Sequence, residues 1–264
     1  MGYKGERMDV NVFQKKVKSA QTGGQPMICT PLIGQTKEEL FLEVEVLAEK
    51  KPDVIEWRAD FFNHLNDKEQ VIATLKGMIE KADSIPFLFT IRSEKEGGER
   101  ISLSEDEKVS LLVELCATQL VAAVDFELMH DVSHIQQVSQ AAKRNGVILI
   151  VSYHDFQRTP AADRLVELFT HAESVGADIA KIAVMPHSYE DALTLLSATG
   201  KANKHLSIPV ISMAMGEYGA FTRMVGGLFG SIMTFAVGKE SSAPGQVAIQ
   251  DLNTVLSIVF SKNQ

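Results

Sequence analysis

Val147-Ile148-Leu149-Ile150-Val151-Ser152-Tyr153-His154-Asp155 and, one unit later, Ala177-Asp178-Ile179-Ala180-Lys181-Ile182-Ala183-Val184 are two apolar runs separated by an amphipathic stretch. Short runs rich in Val and Ile read as strands buried on both faces, and strand–helix–strand units build parallel sheets. The same unit recurs in both directions along the chain. Strands are expected near 26–33, 53–58, 86–92, 121–127, 147–153, 178–184, 208–213 and 231–236. Between them lie helix signals. Thr36-Lys37-Glu38-Glu39 and Ser104-Glu105-Asp106-Glu107 have capping-box form, and Val109, Leu112, Val113, Cys116 and Leu120 make a stripe at helical spacing. Thr159-Pro160 places an N-cap before a proline at the first helical position. Eight strand–helix units are the number that closes into a (β/α)8 TIM barrel. No GxGxxG follows the first strand and there is no Walker A sequence, which weighs against an open doubly wound sheet. Residues 1–264 are therefore expected to form one α/β barrel domain. Residues 1–25 form an N-terminal extension, and Thr22-Gly23-Gly24 within it predicts a hairpin across the lower mouth of the barrel.

Composition narrows the function. The chain has 264 residues, 45% of them hydrophobic, and a net charge of -8. No apolar run approaches the ~20 residues of a membrane span, and the first residues carry no apolar signal region. A cytoplasmic protein is expected, binding neither membrane nor nucleic acid, since the latter calls for a basic surface. Cys29 and Cys116 lie far apart, outside any CxxC pattern, and read as buried thiols in a reducing compartment. Any anionic ligand must be held by local positive charge against the average field.

Polar residues at the strand ends supply that charge. Lys181 interrupts an apolar strand, where lysine is rarely buried without a partner and where loss of the ammonium yields a nucleophilic amine. Side chains two apart on a strand share a face, which groups Glu56 with Arg58, Thr90 with Arg92, Asp125 with Glu127, and Ser152 with His154. All lie toward the C-terminal strand ends, where barrel active sites form. Adjacent strands about 4.8 Å apart would let Lys181 and His154 reach one small ligand. Each residue also has a plain reading: Lys181 paired with Glu56 or Glu127, His154 as a core histidine or loop cap, Arg58 and Arg92 as ion-pair partners, and Arg223 as a surface charge. Gly226-Gly227-Leu228-Phe229-Gly230 reads as close helix–strand packing rather than a phosphate cradle. His130 and His134 have i,i+4 spacing but no third ligand near in sequence, so zinc is not expected. Met213 and Met215 fall near the mouth.

Several segments together resemble the type I 3-dehydroquinate dehydratases, from about residue 26 to the C-terminus. They are Glu56-Trp57-Arg58-Ala59-Asp60, Arg92 to Glu99 (RSEKEGGE), Tyr153-His154-Asp155-Phe156, Ala177 to Pro186 (ADIAKIAVMP) and Ser242-Ala243-Pro244-Gly245-Gln246. The resemblance implies a (β/α)8 barrel that dehydrates 3-dehydroquinate in the shikimate pathway of aromatic amino-acid biosynthesis. Lys181 would form an imine with the substrate ketone, His154 would act as general base and acid, and Glu96 would orient the histidine. Arg223 would clamp the substrate carboxylate. Ser242 and Gln246 would add contacts from a closing loop, and Glu56, Arg58 and Arg92 would hold the ring hydroxyls. It further implies no metal or organic cofactor, and a homodimer. Pro31 stands where some relatives have serine, 215–221 matches less well, and residues 1–10 have no counterpart. A class I aldolase and a barrel that binds without turnover are the competing functions.

Overall fold

Side chains alternate cleanly along the strands, and that alternation builds the molecule. In the computed structural model, which describes residues 10–238, 245 and 247–261, strands and helices succeed one another along the chain. The strands are β1 (Met27–Leu32), β2 (Val54–Arg58), β3 (Phe87–Thr90), β4 (Ala123–Glu127), β5 (Ile148–Asp155), β6 (Ile179–Val184), β7 (Val210–Ala214) and β8 (Met233–Val237). Between them lie α2 (Lys37–Lys50), α3 (Lys68–Lys81), α4 (Glu105–Thr118), α5 (Val132–Asn145), α6 (Ala162–Ser174) and α7 (Tyr189–His205), with α10 (Ile249–Val259) after β8. All pairings are parallel, in the order β7-β6-β5-β4-β3-β2-β1-β8, and a two-residue strand β9 (Val247–Ala248) adds to β8. A bridge from Val210 to Ser231 closes β7 against β8. This is the predicted α/β barrel, with all eight strands where the sequence puts them.

The period of two sorts each strand between two cores. On β6, Ala180, Ile182 and Val184 pack outward under the helices, whereas Ile179 and Ala183 face the barrel axis. Ile55 and Trp57 face outward on β2, and Phe87 and Phe89 on β3, while Val54 and Leu88 point in. The interior is apolar toward the N-terminal strand ends and becomes polar above. Both capping boxes form, Thr36 with Glu39 and Ser104 with Glu107, each satisfying two backbone donors that the helix itself leaves unpaired.

Two expectations need correction. Within residues 8–25 the described chain forms helix α1 (Val10–Gln21), not a hairpin. Phe13, Val17 and Ala20 recur at helical spacing, and that stripe, rather than the Gly-Gly turn, decides the structure. Phe13 is fully buried against the inward residues Met27, Val54 and Met233, so the helix does close the lower mouth. Gly23, at φ +90, only ends it. Likewise Thr159-Pro160 precedes the next helix without entering it: α6 begins at Ala162, with Ala161 at its N-cap and no side-chain cap bond.

The β7–β8 seam differs from the others. The chain between these strands forms two single turns, α8 (Gly216–Gly219) and α9 (Thr222–Val225), then a 3-10 turn at Gly226–Phe229. Hydroxyls hold this insertion. Thr222 Oγ1 accepts the Ala214 N–H at 3.0 Å, and Thr234 Oγ1 donates to the Arg223 carbonyl at 2.9 Å. At Gly227 a side chain would strike Pro26 and Phe260, so the glycine-rich stretch is close packing as expected.

Candidate active site

The inward positions that continue past the apolar barrel floor carry the charged residues. Ser152 is the register partner of both Glu127 and Lys181, and His154 pairs with Ala183 one inward position higher. Lys181 and His154 thus rise from adjacent strands into one pocket, whose wall also includes Glu56, Arg92 and Arg223. Lys181 is 4% exposed. Its amine donates to Asp125 Oδ2 at 3.0 Å, stands 3.9 Å from Glu56 Oε1 and lies 4.6 Å from the centre of the Phe235 ring. Of the two partners the sequence offers, Glu56 is present at long range and Glu127 is replaced by Asp125. Glu127 is turned away because Arg92 and Ser93 hold one of its oxygens, at 3.1 and 2.7 Å.

Arg92 organises this floor. Its Nη2 donates to Asp125 at 2.7 Å and its Nη1 to Ser152 Oγ at 2.9 Å. Burial would lower the Arg92 guanidinium, but Asp125, Glu127, Glu96 and Glu56 reverse that and hold it above its ordinary value. Asp125 shows the complement: burial raises its carboxyl, and Arg92 and Lys181 bring it well below the usual range.

His154 is oriented from the turn after β3. Glu94–Glu96 forms one 3-10 turn that ends at Gly97, φ +83, where a side chain would run into the Phe156 ring. The turn places Glu96 Oε2 2.8 Å from His154 Nδ1 and 3.1 Å from the His154 backbone N. With Nδ1 donating to Glu96, the neutral imidazole presents Nε2 as its basic atom. Burial, reinforced by Arg92, Lys181 and Arg58, holds His154 well below the ordinary histidine range. Burial among Glu127 and Asp125 pushes the Glu96 carboxyl up to about 8 against the pull of Arg92. Both directions favour an uncharged imidazole.

Arg223 is not a surface charge: it is 2% exposed and lines the pocket. Its Nε donates to the Gly245 carbonyl at 2.9 Å, tying it to the loop after β8, and burial lowers the guanidinium to about 10. Arg58 also borders the pocket, but both arms of its fork engage Asp60, at 2.9 and 2.8 Å. Ser242 and Gln246 lie outside the described residues. Met213 and Met215 reach the mouth as expected, joined by Phe156 and Phe235, which the sequence reading left unassigned. Asp60 and the Asp125–Lys181 bond were also missed. Asp125 could be placed on an inward face from its spacing to Glu127, but its partner depends on strand register. His130 and His134 meet carboxylates, Glu105 and Glu127 for the first, Asp106 for the second. Both cysteines are free and buried. Among the described residues no helix is long and apolar enough to cross a membrane.

A buried lysine beside a histidine oriented by Glu96, with a buried arginine in the same pocket, can form an imine with a carbonyl acid and move a proton beside it. Comparison with known proteins identifies the family. Residues 28–263 match the type I 3-dehydroquinase family. The chain is 48% identical over 253 residues to a 3-dehydroquinate dehydratase of Geobacillus sp. (strain WCH70), covering 95% of this chain and 97% of that protein. It is 49% identical to the enzyme of that description from Albidiferax ferrireducens, covering 90% of each. The crystal structure of 3-dehydroquinate dehydratase from Geobacillus kaustophilus HTA426 superposes with a TM-score of 0.88 at 47% identity, over 91% of this chain and 93% of that one. With the barrel, the pocket and these relatives in agreement, the chain belongs to the type I 3-dehydroquinase family and is a hydro-lyase.

Proposed function

We propose that this enzyme converts 3-dehydroquinate to 3-dehydroshikimate through an imine on Lys181, with His154 as general base and acid. The observation that carries this reading is the shared pocket: Lys181 and His154 enter it from neighbouring strands, with Glu96 bonded behind the imidazole. Nζ of Lys181 adds to the C3 ketone, and loss of water leaves an iminium ion. The cation withdraws electrons from C2, so His154 Nε2 can take a C2 proton and form an enamine. The enamine pair expels the C1 hydroxyl, which leaves as water with the proton His154 holds. Water then hydrolyses the conjugated iminium to 3-dehydroshikimate and the free amine. The water released in imine formation is returned in hydrolysis, so the net change is the loss of the one water formed from the C1 hydroxyl. The lysine is itself the electron sink.

Arg223 suits the substrate carboxylate, because a planar guanidinium is built for two-pronged carboxylate recognition and this one lines the same pocket. Glu56 and Arg92 line the pocket and suit the ring hydroxyls, and Ser242 and Gln246, near Gly245 in sequence, would add further contacts. Arg58 takes a supporting share, since its fork is engaged by Asp60. The whole chain serves as one barrel domain, acting in the cytoplasm as a homodimer in the shikimate pathway. The test is turnover of 3-dehydroquinate by Lys181→Ala. The variant is expected to lose dehydration altogether, because no other group supplies the electron sink; dehydration near the wild-type rate would refute the mechanism.

A further inference from the structure

His130 lies on the loop between β4 and α5, its ring stacked on Phe126 with centroids 4.5 Å apart. Both ring nitrogens meet carboxylates. Nε2 is 3.0 Å from Glu127 Oε2, and Nδ1 is 2.9 Å from Glu105 Oε2. Glu105 is itself held by Lys108 Nζ at 3.0 Å. The other oxygen of Glu127 accepts the Ser93 N–H at 2.7 Å and Arg92 Nη1 at 3.1 Å. Ser93 opens the turn that carries Glu96: its carbonyl accepts the Glu96 N–H at 3.0 Å and the Gly98 N–H at 2.8 Å. The same Arg92 Nη1 stands 3.7 Å from Glu96 Oε2, the oxygen that orients His154.

We propose that His130 is a positioning residue for the base: by holding Glu127 from behind, it fixes Ser93 and Arg92 so that Glu96 stays on His154. This rests on the reading of His154 as general base. The two bonds on Glu127 Oε1 leave Oε2 to His130, so the carboxylate is clamped on both oxygens. Release of Oε2 lets Glu127 rotate, loosens the Ser93 hinge and leaves Arg92 Nη1 anchored by Ser152 Oγ without Glu127. That arm then competes with His154 Nδ1 for Glu96 Oε2, and a guanidinium–carboxylate bond is a strong competitor. Burial pushes the Glu127 carboxyl up, and the His130 bond is the foremost influence bringing it well below its usual range, ahead of Arg92. The charged groups facing His130 are Glu127 from β4 and Glu105, with Lys108 behind it, from α4. Those facing His154 are Arg92, Lys181, Asp125, Arg58 and Glu96. Drawing Arg92 toward His154 while weakening the Glu96 bond makes the imidazole a poorer base on both counts.

The test compares His130→Leu, which keeps bulk but no donor, with His130→Gln, which keeps a donor for Glu127. For His130→Leu, kcat is expected to fall about tenfold, well within the ~100-fold that a misplacement of ~1 Å can cost. KM should be nearly unchanged and the acid limb of kcat/KM should move to lower pH. His130→Gln should restore most of kcat and return the limb to its wild-type position. If His130→Leu does not fold, His130→Asn, too short to reach Glu127, is held to the same readings. Wild-type kcat in the donor-less variant, or a loss of activity with the limb unmoved, would overturn the proposal. His154→Ala separates the two readings. Should it dehydrate at the wild-type rate, the base assignment fails; with it inactive, an unaltered His130→Leu removes the role of His130 alone.

Discussion

The proposed function makes His154 the base, and a histidine works as a base only while neutral. On that reading the surroundings of position 154 set the pH at which the enzyme turns over. Burial, then Arg92, Lys181 and Arg58, all oppose an imidazolium, and Asp125 only partly offsets them. The sign follows directly. As pH falls, activity persists through the usual histidine range of about 6.5 and fails only once this resistant imidazole is protonated. The acid limb of kcat/KM for the wild-type enzyme is therefore expected below pH ~6.5, and a limb at or above that value would contradict the electrostatics described. At this scale the sequence was informative where chemistry clashed with context. A lysine inside Ile179-Ala180-Lys181-Ile182 and an arginine at 92 stand out because their neighbours are apolar. Their partners were less legible. That Lys181 bonds Asp125 rather than Glu127 goes with the grip of Arg92 and Ser93 on Glu127, which no spacing rule contains.

Elements were read well where a period was long and badly where a local turn signal competed with it. Every barrel strand was found because each has a buried run bounded by caps and loops. Helix α1 was misread because Thr22-Gly23-Gly24 suggested a hairpin, while the stripe of Phe13, Val17 and Ala20 specified a helix. The correction assigns this helix a task. Phe13 is fully buried against inward residues at the N-terminal ends of β1, β2 and β8, far along the strands from Lys181 and His154. Phe13→Ala is expected to destabilise the fold by about 3–5 kcal/mol in urea unfolding, with kcat of the folded enzyme unchanged. A loss below about 1 kcal/mol would mean that the helix does not seal the barrel. The β7–β8 seam is another case. Its single backbone bridge makes room for α8 and α9, and α9 carries Arg223 into the pocket. Four-residue helices give no periodic signal, which is why Arg223 read by default as an exposed charge.

On the scale of the whole molecule, a net charge of -8 surrounds a pocket edged by Arg58, Arg92, Lys181 and Arg223. Arg58 pairs with Asp60, Arg92 with Asp125 and Glu127, and Lys181 with Asp125. Arg223, in the same pocket, bonds the Gly245 and Phe235 carbonyls and the Met213 sulfur. Under the proposed function, a small anion would meet these cations in an acidic protein, with its carbonyl turned toward Lys181. The measurement that bears most directly on this account is the mass of the protein and its peptides after mixing with 3-dehydroquinate and borohydride, which reduces an imine to a stable amine. The expected result is a single ligand adduct on the peptide containing Lys181, absent from Lys181→Ala. No adduct, from a folded protein that still binds the ligand, would contradict imine chemistry at this lysine.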